Sequence, residues 1–487
     1  MVAALTAGVG VTGTASAGAE LRWAPCPENA AVECASLAVP IDWDRPQRGS
    51  IEIAVARAKA TGQREGVLLH LPGGPGGSGV GALVGGGVLT PELAERFDIV
   101  SIDPRGTNRS HPVRCPSDVL SQMPDLVPET GGRHAELKAY SRRLGEACRA
   151  LTGPLIDHVD AVSVARDIDA LRAALGERRL SVYGISYGTL TGQMYAERFP
   201  HRVRALLLDS VFDHSLPTRR FLATEARAGE DSFAEFVRWC ARESSCALHG
   251  QDVGEVYTAL YQRAVRGELR WPDEPGERLD VLMFVQTAIG RLYGPDWPGL
   301  ADFLDALTRA PAPTPAPTPA QTAAEATDMP IAAFCGDHDF AIGSQRDWER
   351  AWRDMRREAP TVGGHFAWVA VSLCADWPAD TGNPQHRTDV DGGPVVLLMN
   401  SRFDPATPLE WAESVDRQLD RSFLLTYEGW GHRVYDRSGC TLDATHRYFL
   451  DGRLPTHSRC SAVEPTPADT APAESAASPA PVPGTGW

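Results

Sequence analysis

The sequence carries little positive charge for its size. Its 487 residues include 47 Lys and Arg against 63 Asp and Glu, which gives a formal net charge of −16. A surface of this sign repels phosphates, so the composition argues against nucleic acid as the partner. Beyond its first residues the chain also lacks any uninterrupted run of about 20 apolar residues, the length that a membrane-spanning helix needs. We therefore expect neither nucleic acid nor a membrane as a partner of the mature protein.

Motifs for metal ions and nucleotides are lacking as well. No C-x-x-C occurs, and no group of cysteines and histidines has the spacing of a zinc site. The glycine-rich stretch PGGPGGSG at residues 72–79 is not followed by G-K-[ST], which a phosphate-binding P-loop requires. We expect a protein that needs no metal and no cofactor.

Cysteine, by contrast, is plentiful and even in number. The ten cysteines are Cys26, Cys34, Cys115, Cys148, Cys240, Cys246, Cys335, Cys374, Cys440 and Cys460. An even count favours five disulfides in an exported protein over ten buried thiols in a cytosolic one. The sequence leaves the connectivity open, and pairing of neighbouring cysteines is our working hypothesis.

The first residues favour export. Residues 1–20 are mostly small and apolar, and Ala15-Ser16-Ala17 fits the A-x-A pattern of a signal-peptide cleavage site. No Lys or Arg precedes this apolar run, so the basic part of a signal peptide is missing. We predict a secretory signal peptide over residues 1–17 without its basic end, and an extracellular protein.

Short apolar runs with helical patterns between them organise the chain. They are GVLLHL (66–71), FDIVSID (97–103), LSVYGI (180–185), VRALLLDSV (203–211), PVVLLMN (394–400) and RSFLLTYEG (421–429). Alternation of this kind is typical of an α/β protein with a doubly wound, mostly parallel sheet.

The strand pattern stops in the middle of the chain. Residues 213–390 are helix-like and predict a helical cap inserted into the sheet domain, whose two parts are residues 18–212 and 391–461. Within the cap, residues 310–327 form a Pro/Ala/Thr tract that predicts an extended surface excursion. The tail, residues 462–487, has a similar composition and predicts disorder.

The stretch GISYG presents Ser186 as a candidate nucleophile. It matches G-x-S-x-G, in which the serine occupies a strained turn between a strand and a helix and the flanking glycines relieve crowding. The motif alone is only moderately specific in a chain with 46 glycines. Its context is selective, because a predicted strand precedes it and a helical pattern follows it. We therefore predict a nucleophile rather than an ordinary turn serine.

A serine nucleophile needs a histidine base and a carboxylate that orients the histidine. With a G-x-S-x-G motif, the three residues follow one another along the chain in the order Ser, Asp, His. Asp404 comes soon after the run PVVLLMN, and His432 lies in a small-residue loop after RSFLLTYEG. Taken singly, Asp404 could be a turn residue before Pro405, and His432 a surface-loop histidine. Their joint placement at the carboxyl ends of two late strands favours a triad with Ser186.

Acyl transfer through a serine also needs two N–H donors for the oxyanion. We expect one to be the backbone N–H of Tyr187, the residue after the nucleophile. The other is expected from the glycine loop at residues 72–79, where Gly73 and Gly74 are the candidates and the sequence does not choose between them.

Four polar residues beside these loops are interpreted as structural. Asp103 and Arg105 in DPRGTNRS predict an ion pair that shapes the floor of the loop. His70 and Asp209 lie close to the predicted catalytic loops, and we assign both to the structure.

Together these stretches resemble the secreted tripeptidyl aminopeptidase group of actinobacterial α/β-hydrolases, which is related to proline iminopeptidases. The resemblance rests on LPGGPGGSG, DPRG…RS, GISYGT with YAERFPHRVRALLLDSV, and NSRFDPATP…GWGH…C, together with the placement of the cysteines. It runs from about residue 23 to residue 460 and is weakest across the cap. One departure is Asn108, where the family pattern DPRG.G.S often has glycine.

The resemblance implies an α/β-hydrolase fold, a triad of Ser186, Asp404 and His432, and cleavage near the N-terminus of peptides under a closing cap. Recognition of a free amine would need carboxylates in the cap. Glu225 and Glu230 are the candidates because they follow the last strand before the cap. The alternative for both is an ordinary solvated helix face.

The expected function is a secreted serine hydrolase that removes short peptides from free N-termini through an acyl-enzyme. One alternative is an amidase or esterase that uses the same triad on a small N-acylated or ester metabolite. Another is a non-catalytic binding protein that has kept the fold. The sequence leaves the substrate and the oligomeric state open, because the shape of the cap sets specificity.

Overall fold

The computed structural model describes residues 21–310, 326–364 and 366–465. The predicted signal peptide (1–17), most of the 310–327 tract and most of the 462–487 tail lie outside these residues. Among the helices that are described, none is both long and apolar enough to cross a membrane.

The described residues form both strands and helices. The strands are β1 Ala24–Pro25, β2 Glu33–Pro40, β3 Ser50–Ala58, β4 Gly66–Leu71, β5 Phe97–Ile102, β6 Arg114–Pro116, β7 Leu180–Ile185, β8 Val203–Asp209, β9 Ala326–Asp328, β10 Val396–Phe403, β11 Ser422–Trp430 and β12 Arg459–Cys460. The α-helices are α1 Gly79–Val84, α2 Pro91–Arg96, α3 Ser117–Leu120, α4 His134–Thr152, α5 Ala161–Ala174, α6 Tyr187–Arg198, α7 Thr218–Arg242, α8 Val253–Val265, α9 Val281–Tyr293, α10 Trp297–Arg309, α11 Ala332–Asp337, α12 Gln345–Glu358, α13 Ala367–Leu373, α14 Leu409–Gln418 and α15 Gly439–His446.

Within the described residues, ten strands form one sheet in the order β1-β2-β3-β5-β4-β7-β8-β10-β11-β12. Every pairing from β5 to β12 is parallel. The six apolar runs of the sequence correspond to β4, β5, β7, β8, β10 and β11, so the predicted α/β fold with a mostly parallel sheet is confirmed. Every residue of β4, β5 and β7 is buried, because the central strands are covered on both faces.

The strands at one edge of this sheet were not expected from the sequence. β1, β2 and β3 pair antiparallel with one another, and β3 joins antiparallel to β5. Along β3, Ile51, Ile53 and Val55 are buried, whereas Ser50 and Glu52 are exposed. A half-buried strand alternates in this way and lacks the continuous apolar run that marks β4 and β5. These strands therefore did not stand out in the sequence.

Helices α7 to α13 occupy the stretch between β8 and β10. The long helix α7 packs against α12 and α9 and also contacts β10 of the sheet. The stretch is not wholly helical, because β9 pairs antiparallel with β6, and Asp328 lies opposite Arg114. The division of the chain into a core and an inserted cap stays a prediction.

All ten cysteines lie in the described residues and are joined as five disulfides. The pairs are Cys26–Cys34, Cys115–Cys148, Cys240–Cys246, Cys335–Cys374 and Cys440–Cys460. Each bond joins neighbours in the cysteine order, which is the pairing of our working hypothesis. Such cross-links stabilise a fold mainly by restricting the unfolded chain, and each typically contributes about 2–4 kcal/mol.

The loop after β5 corrects one expectation from the sequence. Arg105 pairs with Asp167 of α5: its Nε and Nη2 lie 2.7 and 2.6 Å from the two carboxylate oxygens. Its guanidinium also donates to three backbone carbonyls. Asp103 instead accepts hydrogen bonds from Ser78 Oγ at 2.7 Å and Val80 N at 3.1 Å. The predicted Asp103–Arg105 ion pair is therefore wrong. Arg105 pairs with Asp167, and Asp103 binds Ser78 and Val80 at the start of α1.

Replacing Asp167 by alanine would leave the charge of Arg105 buried without its carboxylate. We expect the free energy of unfolding to fall by about 3–5 kcal/mol, as is typical when one partner of a buried ion pair is removed. Asp44→Ala is the matched control, because its partner Arg166 also lies on α5 but the Asp44 side chain is 78% exposed. The control should lose much less. Urea unfolding with the disulfides intact measures both, and equal losses would contradict the prediction.

Candidate active site

Ser186 stands in the turn between the end of β7 and the start of α6. Its φ of 56° and ψ of −124° are unfavourable for a residue with a side chain. The glycines of the motif make this turn possible. A Cβ on Gly184 would lie 2.6 Å from Gly188 O, and a Cβ on Gly188 would lie 2.4 Å from Leu71 O. The two glycines of G-x-S-x-G are therefore required because three backbone segments pack closely around the serine.

The glycine loop at residues 72–79 lies against this turn. A Cβ on Gly73 would be 3.0 Å from Ser186 Cβ and 3.5 Å from Ser186 Oγ. Gly77 N donates to Gly73 O at 3.1 Å, and Gly74 has a φ of 119° that favours glycine. On the other side of Ser186, Tyr187 begins α6, and the amides of a first helical turn have no acceptor within their helix. Both candidate sources of oxyanion donors therefore adjoin the serine.

Asn108 supports the glycine loop at the position where the family pattern often has glycine. Its Nδ2 donates to Gly76 O at 2.8 Å. Its φ of 44° lies in the left-handed region, which asparagine tolerates better than most residues. Asparagine thus keeps a backbone that suits glycine and adds a contact to the loop.

His432 and Asp404 form a buried pair in the loops after β11 and β10. His432 Nδ1 lies 2.9 and 3.0 Å from the two carboxylate oxygens. Asp404 also accepts from the backbone N–H groups of Ala406 and Thr407, each at 2.9 Å. Burial opposes ionisation of Asp404, but the charge and hydrogen bond of His432 together with these amides outweigh it and lower its pKa. A carboxylate held in this way can orient the imidazole.

Ser210, which was not expected from the sequence, holds this pair in place. Its Oγ donates to Asp404 Oδ2 at 2.7 Å and accepts from Arg433 N, next to the histidine, at 2.7 Å. Ser210 directly follows β8. Because ligand-binding residues gather at the carboxyl ends of parallel strands, this position was a signal that could have found it.

Asp209, at the end of β8, is a second junction of the site. Its carboxylate accepts from Val434 N at 2.8 Å and Tyr435 N at 3.0 Å, in the histidine loop, and from Tyr183 OH at 2.9 Å. Its backbone oxygen accepts from Ser186 N at 2.9 Å. Burial raises the pKa of Asp209 to about 6. These contacts agree with the structural role expected for this residue.

The serine and the histidine thus both attach to the end of β8. The hydrogen bonds among the described residues do not include one between Ser186 Oγ and His432 Nε2. Catalytic hydrogen bonds are often long before substrate binds and tighten afterwards. The structure therefore places all three predicted triad residues at one edge of the sheet and shows the Asp404–His432 contact already formed.

Helix α9 brings Tyr293 against the imidazole. The ring centroids of Tyr293 and His432 lie 4.9 Å apart, and Tyr293 O accepts from His432 N at 2.8 Å. Burial raises the pKa of Tyr293 well above its usual value, and the charges of Glu225 and Asp404 add to this effect. Glu225, on α7, is only 1% exposed. It is therefore not part of a solvated helix face, and it lies near enough to Tyr293 for its charge to raise the pKa of that tyrosine.

Two other residues make structural contacts. Glu230 accepts from Val362 N at 2.8 Å and from Thr361 N at 3.1 and 3.2 Å, so its carboxylate holds the backbone after α12. His70 is buried with its Nδ1 3.1 Å from Ser101 Oγ. Burial lowers the pKa of His70 to about 3, so this histidine is neutral in the core.

The class of the protein follows from where these strands end. A serine in a strained turn after β7, a carboxylate after β10 and a histidine after β11 all lie at the carboxyl ends of strands in one mostly parallel sheet, as the triad residues of α/β-hydrolases do. The chain is a serine hydrolase of the α/β-hydrolase type.

Comparisons with known proteins narrow this class. A family model described as TAP-like protein matches residues 359–460. The chain is 31% identical over 474 residues to serine protease Hip1 of Mycobacterium bovis, and the match covers 90% of each chain. It is 29% identical over 492 residues to the tripeptidyl aminopeptidase of Streptomyces lividans, covering 94% of this chain and 90% of that relative. It is 31% identical over 466 residues to carboxylesterase B of Mycobacterium tuberculosis, covering 88% and 86%. The chain belongs to the actinobacterial group of α/β-hydrolase serine peptidases that includes serine protease Hip1.

The raised pKa of Asp209 leads to a pH-dependent stability. As the pH rises from about 4 to about 6, the carboxyl group loses its proton in the unfolded chain before it does in the folded protein, so the folded state loses stability over this range. The difference between the two pKa values corresponds to about 3 kcal/mol. Asp209→Asn does not titrate there.

The free energy of unfolding of the wild type relative to Asp209→Asn should therefore fall between about pH 4 and pH 6 and level off above about pH 7. Urea unfolding at stepped pH values measures this difference. Using the difference cancels the other titrating groups that the two proteins share. A difference that stays flat or rises over this range would contradict the prediction.

Proposed function

We propose that the chain is a secreted aminopeptidase that releases short peptides from the free N-terminus of its substrates. The observation that carries this proposal is the buried carboxylate of Glu225, whose charge raises the pKa of Tyr293, the residue that packs on His432. A carboxylate beside the reaction centre suits the positive charge of an α-amino group. One relative is named a serine protease and another a tripeptidyl aminopeptidase, which supports a peptide substrate.

In this proposal Ser186 is the nucleophile and acts through an acyl-enzyme. Its Oγ attacks the carbonyl carbon of the substrate while His432 Nε2 takes its proton. The histidine then delivers that proton to the leaving amine. Asp404 accepts the hydrogen bond from His432 Nδ1, which sets the tautomer and stabilises the imidazolium. Water repeats the sequence on the acyl-enzyme and frees the serine.

The oxyanion of each tetrahedral intermediate is bound by backbone amides. Tyr187 supplies one N–H, and Gly73 or Gly74 supplies the other. The position of Gly73 against Ser186 supports a donor from the glycine loop. Preorganised donors of this kind are among the largest contributions to catalysis, because they stabilise charge where it develops.

The helical stretch 213–390 acts in this proposal as a cap over the site. Two observations support that role: Tyr293 of α9 packs on His432 and accepts from its backbone N–H, and the charge of Glu225 on α7 raises the pKa of Tyr293. The limited reach of a capped site would restrict cleavage to the ends of peptides. Substrate length is then set by the space between these helices and Ser186.

Secretion is the other part of the proposal. It is supported by the five disulfides, which persist in oxidising compartments and are rare in the cytosol. The apolar residues 1–17 with their A-x-A site lie outside the described residues. The signal peptide that they suggest is a prediction from the sequence.

An amidase or esterase is the second candidate. One relative is named carboxylesterase B, and the same serine, histidine and carboxylate would serve ester hydrolysis. This candidate does not need a carboxylate to receive an amine. The role of Glu225 therefore separates the two functions.

The first test compares a tripeptide p-nitroanilide that has a free α-amino group with its N-acetylated form. If the ammonium pairs with Glu225, kcat/KM should be at least about tenfold higher for the free form, because hydrogen bonds to charged groups contribute about 1.5–3 kcal/mol. Ser186→Ala supplies the blank. Equal or faster turnover of the acetylated peptide would reject the aminopeptidase and favour the amidase or esterase.

The second test replaces Glu225 by glutamine, which keeps the size and removes the charge. We expect kcat/KM for the free-amine peptide to fall about 10- to 100-fold, whereas the acetylated peptide should change little. Glu230→Gln is the matched control, since Glu230 lies on the same helix but binds the backbone of Thr361 and Val362. The control should leave the ratio between the two substrates unchanged. An equal change of that ratio in both variants would exclude a specific role of Glu225.

A further inference from the structure

The side chain of Tyr187 is tied to a helix of the predicted cap. Its hydroxyl donates to Asp337 Oδ2, and its ring lies 5.1 Å, between centroids, from that of Phe334. Asp337 and Phe334 belong to α11, whereas Tyr187 is the first residue of α6, directly after Ser186. One hydrogen bond therefore connects the residue after the serine to a distant part of the chain.

Asp337 is a buried junction for hydrogen-bond donors. Its exposed fraction is 0%. Its Oδ1 accepts from Ala161 N, at the start of α5, at 3.0 Å and from Asn383 Nδ2 at 2.6 Å. The hydroxyl of Tyr187 is the third donor. A buried carboxylate is costly unless donors surround it, so this convergence fixes where the carboxylate sits.

The surroundings of Asp337 hold it independently of Tyr187. The disulfide Cys335–Cys374 anchors α11 to the end of α13, and Gly336 O accepts from Asn383 N at 3.0 Å. The neighbouring Asp160 is held by Ser163 through its N–H at 2.9 Å and its hydroxyl at 2.8 Å. Burial, and then the charge of Asp160, raise the pKa of Asp337 to about 7. Asp337 is thus an anchor to which the tyrosine is attached.

We propose that Asp337 is a positioning residue for the oxyanion: by holding the hydroxyl of Tyr187, it fixes the direction of the Tyr187 backbone N–H relative to Ser186. The inference rests on the proposed function, in which that N–H binds the oxyanion. The peptide between the two residues follows a strained serine. Its carbonyl oxygen accepts from Thr189 N at 2.8 Å and Thr189 Oγ1 at 2.6 Å, and the hydrogen bond to Asp337 adds a second attachment, on the residue that carries the amide. Asp337 itself touches no reacting atom.

A fluorophosphonate probe tests this inference without knowledge of the substrate. The serine Oγ attacks phosphorus and displaces fluoride, while the serine proton passes to the histidine. The phosphonyl oxygen then occupies the position of the oxyanion. Tyr187→Phe removes only the hydroxyl. We expect it to be labelled about tenfold more slowly than the wild type, because a displaced oxyanion donor stabilises the transition state less. Tyr195→Phe, at a fully buried tyrosine on the same helix, is the matched control and should keep the wild-type rate.

Asp337→Ala extends the test to the anchor, because alanine leaves the Tyr187 hydroxyl without its partner at this position. Because Asp337 acts through the hydroxyl, the double variant Asp337→Ala/Tyr187→Phe should be labelled no more slowly than Asp337→Ala alone. With the best substrate found, both single variants should lower kcat and leave KM nearly unchanged, the pattern of an interaction made only in the transition state. Urea unfolding of the same proteins separates this loss from a loss of stability.

The outcomes distinguish this inference from the proposed function. If Tyr187→Phe is labelled at Ser186 as fast as the wild type, or if only its stability falls, the positioning role is overturned while the nucleophile stands. If the double variant is labelled more slowly than either single variant, by the product of their two effects, Asp337 does not act through the hydroxyl of Tyr187. If Ser186→Ala is labelled like the wild type, the nucleophile assignment fails, and the inference fails with it.

Discussion

The site depends on the hydrogen bonds that Asp209 and Ser210 make at the carboxyl end of β8. The backbone oxygen of Asp209 binds the amide of Ser186, and its carboxylate binds the amides of Val434 and Tyr435 in the histidine loop. Ser210 binds Asp404 through its hydroxyl. Residues that are hundreds of positions apart in the chain are thereby fixed to one pair of neighbours. A serine hydrolase needs this kind of rigidity, since small displacements of reacting groups reduce the rate strongly.

The same region concentrates conformations and charges that are unfavourable by themselves. Ser186 and Ser210 both have positive φ angles, and Asp209, Asp404 and His432 are buried polar groups. Strain of this type persists only where the surrounding structure determines it several times over. Here the packing of Gly184 and Gly188 holds the serine turn, and backbone amides hold the two carboxylates. The parallel sheet below them is a rigid support.

Contacts from the helical stretch between β8 and β10 reach the catalytic parts directly. The backbone N–H of His432 donates to Tyr293 O of α9, and the hydroxyl of Tyr187 donates to Asp337 of α11. In addition, the charge of Glu225 on α7 raises the pKa of Tyr293. In the proposed function, where these helices cap the site, substrate selection and catalysis are therefore coupled, because a shift of the helices would move both the groups around the serine and the cap. Glu225 and Tyr187 are the residues through which this coupling would act.

The sequence by itself determined the central fold and the identity of the candidate triad. Six continuous apolar runs marked the strands buried on both faces, and G-x-S-x-G and the placement of Asp404 and His432 after two such runs are local patterns that chemistry requires. The half-buried strands β1 to β3 carry no such run, and they were missed. Only the tertiary structure decided which polar groups meet: that Arg105 pairs with Asp167 rather than Asp103, that Ser210 supports Asp404, that Glu225 is buried while Glu230 binds backbone amides, and that Asp337 reaches Tyr187. These contacts join residues far apart in the chain, and their partners depend on how helices and loops pack, which no local spacing records.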